Sequence, residues 1–402
     1  MSQDLGSSRL WPTEVWARPW SLPRYRAGAM WLGGIAAGIV VIGAGVGELS
    51  LWGDRLLGLL GRSGLPAAWT SWIWVLVKLG CVLGVIVANG LWAVWWERKI
   101  SAHIQSRFGP MYAGGFHGWA QTIFDTIKLL FKEDVTPAAA DQSMHALAPI
   151  VAIAPCVMAF APILFGTELA AARLDMGVLY IFAFAGISVI GVVMAGWASG
   201  NKYSLLGGLR AAAQIVSYEL PRGFSVVPVL MFAGSLDLAV INRAQAGYWL
   251  GFIPRWFVFY PVVGQVAFLF FLIASVAETN RTPFDIPEAE SELVAGFHTE
   301  FSGMKWSMFF LTEYGYVLLS SFLLAAFFLG GGAAPLPLLN FVPSWIWMTG
   351  KAMFMMFVFM WFRWTFPRLR VDQLMDFNWK FLLPWSFANI GLAGIMLWWM
   401  LR

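Results

Sequence analysis

A chain of 402 residues that is 59% hydrophobic, 16% aromatic and only 12% charged has too few polar side chains to clothe a water-soluble globule of its size. Its net charge of +4 is small and gathers on one side of the apolar segments, which argues for membrane topology and against a nucleic-acid surface. Two cysteines, Cys81 and Cys156, both inside apolar runs, exclude a disulfide framework and a Cys-ligated zinc or iron–sulfur site built by this chain alone.

Residues 1–29 carry Arg9, Arg18, Arg24 and Arg26 among Trp and Pro, unlike the short n-region of a cleaved signal peptide, and are expected to form a partly disordered cytoplasmic tail. The first apolar run, 30–51, spaces Gly34 from Gly38 and Gly43 from Gly47 so that another helix can approach closely. Its GAGVG has no preceding strand and no following amphipathic helix, which argues against a dinucleotide loop. A connection holding Asp54, Arg55 and Arg62 leads to a second span, 72–96. Further spans are predicted at 144–166, 177–197, 205–236, 256–277, 305–329, 345–362 and 381–401, about nine helices of membrane-crossing length. Runs of this length, rather than short alternating segments, satisfy backbone hydrogen bonds within helices, so the fold class is all-α and polytopic.

Lys and Arg set the orientation. With the N-terminus inside, the inner segments hold Arg98, Lys99, Arg107, Lys128, Lys132, Lys202, Arg210, Arg281, Arg363, Arg368, Arg370 and Lys380. The outer ones hold Arg55, Arg62, Arg173, Arg243 and Arg255. Between the second and third spans, residues 116–131 put Trp119, Ile123, Ile127 and Leu130 on one helical face, with Gln121, Asp125 and Lys128 off it, the pattern of a helix lying in the interface plane. The four histidines, His103, His117, His145 and His298, have no paired helical spacing, and no metal is assigned to them.

The ionisable residues concentrate on the inner side. Residues 278–306 include Glu278, Asp285, Glu288, Glu290, Glu292 and Glu300 between two apolar segments. Asp285 and Glu288 have capping-box spacing with Pro287 in the first turn, a structural role, whereas Glu278, Glu290 and Glu292 have no such simple task. Glu97, Arg98 and Lys99 close the second span, and Glu133 and Asp134 close the amphipathic helix. Snorkelling to water accounts for such end charges. Glu219, well inside an apolar helix, has Arg222 at i,i+3 as a neutralising partner across the turn that Pro221 distorts. Glu313 lies two turns inside the helix after the acidic loop. Carboxylates at such depth call for a polar or hydrated path.

Taken together, WWERKISAHIQSRFGP (95–110), TIKLLFKEDVTP (126–137), GWASGNKYSLLGGLRAAAQIVSYE (196–219), AETNRTPFDIPEAESELVAGFHTEFSG (277–303), LTEYG (311–315) and FRWTFPRLRVDQLM (362–375) closely resemble, in order, the H-subunit family of respiratory complex I, the proton-pumping NADH:quinone oxidoreductase. The resemblance covers about residues 72–402. It implies a bacterial inner-membrane component at the joint of the hydrophilic and membrane arms that supplies most of a quinone-access tunnel and has no redox centre of its own. Quinone is then the substrate, and FMN and iron–sulfur clusters belong to partner subunits. By motif, Glu97, Arg98, Asp125, Arg210 and Arg281 line or brace the tunnel. Glu219, Glu278, Glu288, Glu290, Glu292 and Glu313, with Glu133, begin a carboxylate chain toward antiporter-like subunits, and residues 284–300 form the cytoplasmic loop gripping the hydrophilic arm. Partners would be the hydrophilic-arm subunits of the quinone site and iron–sulfur clusters, small membrane subunits beside the carboxylate chain, and lipids, with no nucleic acid.

The chain departs from the family pattern after Pro110, where Met111, Tyr112 and Ala113 replace an Asn-Arg-Val run and Gly115 replaces a usual Pro. The domain reading is therefore a tail at 1–29, an extra transmembrane helix with its outer loop at 30–71, absent from the usual eight-helix form, and a quinone-tunnel membrane domain of the H-subunit type at 72–402. The alternatives are the membrane anchor of a hydrogenase-type complex with another electron donor and a stand-alone ion carrier. The carrier predicts charge open to both sides, whereas the carboxylates here gather on one.

Overall fold

The computed structural model describes residues 67–166, 170–249, 251, 253–286 and 293–402. The tail expected at 1–29, the span expected at 30–51, and Glu288, Glu290 and Glu292 lie outside the described residues. The described helices are α1 (Ala67–Ile104), α2 (Gln121–Phe131), α3 (Gln142–Ala159), α4 (Gly177–Ala198), α5 (Lys202–Ala233), α6 (Leu238–Ala244), α7 (Val263–Glu278), α8 (Gly303–Phe328), α9 (Ser344–Thr365), α10 (Val371–Phe377) and α11 (Leu383–Leu401). Two short strands, β1 (Tyr248–Trp249) and β2 (Ile253–Pro254), pair antiparallel with Trp249 opposite Ile253.

Among the described residues seven helical segments are long and apolar enough to cross a membrane: Val75–Ile104, α3, α4, α5, α8, α9 and the run Val371–Met400. The 16-residue α7 is apolar but shorter. The polytopic all-α architecture stands, with local adjustments at helix ends. The expected 256–277 span begins only at Val263, because Pro261 and a separate turn at Phe257–Phe259 precede it. The last span starts earlier than 381, since a π-helical turn, Asn378–Leu382, joins α10 to α11. The sequence supplies the N-caps: Asp141 accepts from the Ser143 and Met144 amides at 3.1 and 3.3 Å, Asn201 from Tyr203 at 3.0 Å and Asp237 from Ala239 at 2.9 Å.

α8 is the axis of the bundle. Every residue from Tyr314 to Phe328 is buried, and the helix packs against α1, α3, α7 and α9. Lipid offers no hydrophobic gain for pairing apolar helices, so cohesion rests on close van der Waals packing by small residues. Gly191 lies where a Cβ would come 2.5 Å from the Ala152 backbone nitrogen, and at Gly315 a Cβ would come 2.6 Å from Cys156 Sγ.

Candidate functional site

Charged side chains from four segments converge at the Gly303 end of α8. Glu97, on α1 and 5% exposed, accepts hydrogen bonds from Arg281 Nη1 at 3.0 and 3.2 Å, Arg363 Nη1 at 2.7 Å and the Tyr314 hydroxyl at 2.7 Å. Arg281, which follows α7, also lies 3.2 Å from Glu313 and 4.5 Å from the Tyr314 ring centroid. Two carboxylates and two guanidiniums thus balance at a buried junction, the arrangement that offsets the desolvation of each ion. Burial works against the Arg281 charge, but Glu97, Glu313 and Tyr314 hold its pKa well above the ordinary arginine value.

A second buried pair lies on the adjoining side of α8. Arg222, on α5 and fully buried, donates to the Glu278 carboxylate and, at 3.2 Å, to Ser320 Oγ. Its guanidinium also faces the Phe182 and Phe271 rings at 5.4 and 5.2 Å. The neutralising interaction expected between Glu219 and Arg222 is present as an electrostatic one, without a hydrogen bond between them. Although Arg222 remains within electrostatic reach of Glu219, its hydrogen bonds go to partners on α7 and α8, and Glu219 rests near the midpoint of α5 against the backbone of Gly186.

Glu278 and Glu313 open on one cavity of about 210 Å³, whose wall also includes Ser188, Ile215, His298 and Tyr316. His298 belongs to a one-turn helix, Gly296–His298, that Ser204 Oγ anchors by donating to the Phe297 carbonyl at 3.0 Å. Burial pushes the His298 pKa down to about 4, so its imidazole is neutral at pH 7.

The other sequence candidates lie apart from this junction. Arg98 pairs with Asp125 at 2.6 Å on a partly exposed surface, where Gln121 also donates to Asp125 at 3.0 Å. Arg210 lines a separate, mostly apolar cavity of about 210 Å³ with Leu206, Ile286, Leu374 and Met375. Glu133 is exposed, and its backbone carbonyl accepts from Ser302 Oγ at 3.2 Å. Lys99 does not snorkel: it is 4% exposed and donates to the Pro110 carbonyl, which folds the 105–115 loop back on α1. Asp134 remains half exposed but pairs with Lys305 at 2.7 Å. Asp285 lies 3.2 Å from Arg368, and Pro287 and Glu288, its expected capping partners, lie outside the described residues. Gly115 adopts φ +81°, which a proline ring forbids, so its presence in place of Pro gives this loop its own path.

Reading the sequence missed Arg363 and Tyr314 as partners of Glu97, and Gln214, whose Nε2 donates to the Ala277 and Phe284 carbonyls at 2.7 Å each and pins both ends of the 278–283 turn. The apolar face of α2 is open to the outside of the chain, with Trp119, Ile123, Ile127 and Leu130 between 37% and 57% exposed.

A family model described as NADH dehydrogenase matches residues 63–394. Over 335 residues the chain is 47% identical to the H subunit of NADH-quinone oxidoreductase from Bacillus thuringiensis subsp. konkukian (strain 97-27), covering 82% of this chain and 96% of the relative. The same identity and coverage hold, over 332 residues, for the H subunit of the enzyme from Anoxybacillus flavithermus (strain DSM 21510 / WK1). With helices able to span a membrane, a buried carboxylate–arginine junction and these relatives, the chain belongs to the NADH dehydrogenase family as an H-type membrane subunit of NADH-quinone oxidoreductase.

Proposed function

We propose that this subunit walls the path by which quinone reaches its reduction site and begins the proton route that couples quinone reduction to pumping. The observation that carries the reading is the shared cavity: Glu278 and Glu313, each tied to an arginine, face one space with polar walls inside an otherwise apolar bundle. Carboxylates placed together titrate as a coupled set, so a charge change at quinone reaches the far end of the row without any redox group here. The open apolar face of α2 frames a lateral entrance at membrane level for an isoprenoid substrate. Glu97, Arg281 and Arg363 brace that entrance, Arg98 and Asp125 sit at its rim, and Arg210 lines a neighbouring wall.

In this reading the chain sits in the bacterial inner membrane with its N-terminus and the loop at 278–302 in the cytoplasm. Glu288, Glu290 and Glu292 extend the carboxylate row, and the loop grips hydrophilic-arm subunits that hold the FMN and iron–sulfur clusters. Residues 30–51 form an extra helix at the periphery, followed by an outer loop, and residues 1–29 a cytoplasmic tail. The relatives, named as parts of NADH-quinone oxidoreductase, favour NADH-linked quinone reduction over a hydrogenase-type anchor. The test is a Glu219→Gln/Glu290→Gln double variant in the assembled complex, reconstituted in vesicles. Proton translocation per NADH is expected to collapse, and an unaltered ratio rejects the coupling role.

A further inference from the structure

Two helices carry matching rows of residues past the shared cavity. On α8, Glu313, Tyr316 and Ser320 follow at spacings of three and four and so lie on one face, and on α5 Ile215, Glu219 and Arg222 do the same at four and three. The rows meet at both ends. Glu313, Tyr316 and Ile215 all line the cavity, and one turn further along Arg222 donates to Ser320 at 3.2 Å. Between those two rungs Tyr316 and Glu219 lie within electrostatic reach of each other. The Tyr316 side chain is 8% exposed, and its hydroxyl makes no hydrogen bond of good geometry. The Ser188 hydroxyl is near it but gives its own proton to the Ala185 carbonyl at 2.8 Å. A buried hydroxyl so weakly satisfied is costly unless water or a transient partner visits it.

Glu219 has its own sign of being held in place. A Cβ on Gly186 would come 2.9 Å from Glu219 Oε1 and 3.2 Å from Oε2, so the carboxylate occupies room that only glycine leaves on α4. Arg222 lies within electrostatic reach of both Glu219 and Tyr316 and donates to Glu278 on α7, which with Glu313 lines the cavity.

We propose that the Tyr316 hydroxyl is the relay that joins the Glu278/Glu313 cavity to Glu219. In the forward step the hydroxyl gives its proton to a Glu219 carboxylate oxygen. At the same time its own oxygen accepts a proton from a cavity water, and that water is reprotonated by the Glu313 carboxyl. Tyrosine is neutral before and after, Glu219 gains one proton and Glu313 loses one. A phenol suits the task because a single oxygen both donates and accepts.

The inference rests on the proposed proton route, and the experiment separates the two. In the assembled complex reconstituted in vesicles, Tyr316→Phe keeps the ring and its packing and removes only the relay atom. Proton translocation per NADH is expected to fall roughly tenfold, less than the roughly hundredfold at the low end for a positioned acid–base group, because cavity water substitutes in part. NADH oxidation by a water-soluble acceptor is expected to stay unchanged, which excludes misassembly. The solvent deuterium isotope effect on coupled turnover is expected to rise in Tyr316→Phe, a change that packing alone does not cause. Gly186→Ala, whose added methyl meets the Glu219 carboxylate first, is expected to give the same phenotype. Full pumping by Tyr316→Phe overturns the relay if Glu278→Gln and Glu313→Gln abolish pumping beside it. If those two variants also pump fully, the carboxylate route itself is overturned.

Discussion

The two ends of α8 each hold a cation, Arg281 buried and Lys351 half-buried, but they neutralise it in different ways. At the Gly303 end, Arg281 and Arg363 meet the Glu97 carboxylate, with Glu313 beside them. At the Phe328 end, Lys351 on α9 donates to the carbonyls of Leu329, Gly331 and Ala333 at 2.6, 2.9 and 2.6 Å and lies 4.2 Å from the Trp256 ring centroid. Gln245 completes that end, donating to the Ala326 carbonyl at 2.7 Å and accepting from the Gly330 amide at 3.0 Å. The first end sets charge against charge, whereas the second sets an ammonium against a clasp of backbone dipoles. One long helix connects the two.

Removing a carboxylate at the first end should have the largest effect. Glu97→Gln keeps the shape but leaves Arg281 and Arg363 with one carboxylate between them, and breaking a buried pair costs about 3–5 kcal/mol. The expected outcome is little assembled complex in the membrane and loss of NADH:quinone activity. A compensating Glu97→Gln/Arg363→Gln variant, which restores neutrality, should recover part of the assembly. If Glu97→Gln assembles and works at wild-type level, the junction is not held by charge balance. At the clasp the effect is smaller and of another kind. Lys351→Met strands three carbonyl oxygens, a loss of about 3 kcal/mol if water partly reaches them. The thermal midpoint of the purified complex should drop while protons moved per NADH stay unchanged. A changed ratio would show that the clasp shares in coupling and would dissolve the contrast.

The same contrast marks what could be read from the sequence. Apolar runs of membrane length are unambiguous in composition, so the helices within the described residues are legible. So are the caps at Asp141, Asn201 and Asp237, where one side chain reaches its own helix start. The junction is legible only in part. Glu97 and Arg281 enter through motif resemblance, but Arg363 lies 266 positions from Glu97, and no local period points across that distance. Arg222 shows the limit of the i,i+3 rule most directly: that rule sees the neighbour on the same helix, whereas Glu278, 56 positions away, receives the hydrogen bond. Helix ends moved where the chain breaks its own regularity, at Pro261 before α7 and at the π-turn before α11.

The smallest expected effect tests whether the segment docked at the first end responds to pH. His298 packs edge-on to Phe297 and 6.3 Å from the Trp306 ring on the cavity wall, with Glu278 and Glu313 across the space, Glu300 two residues on and the Lys305–Asp134 pair nearby. Burial lowers its pKa from 6.5 to about 4. At pH 7 the imidazole is neutral whether the segment is docked or open. As pH falls below 6.5 the open form takes up a proton that the docked form refuses, so docking loses stability until pH reaches about 4, below which both forms are charged. From pH 7 to pH 5 the loss is about 2 kcal/mol, from 1.36 kcal/mol per unit of separation. Amide hydrogen exchange in peptides spanning 293–302, corrected for intrinsic rates, should show protection falling roughly thirtyfold between these two values. His298→Gln should flatten that dependence. A pH dependence that survives in His298→Gln would mean that other groups loosen this segment in acid, and the His298 imidazole would not be what ties it to the Gly303 end of α8.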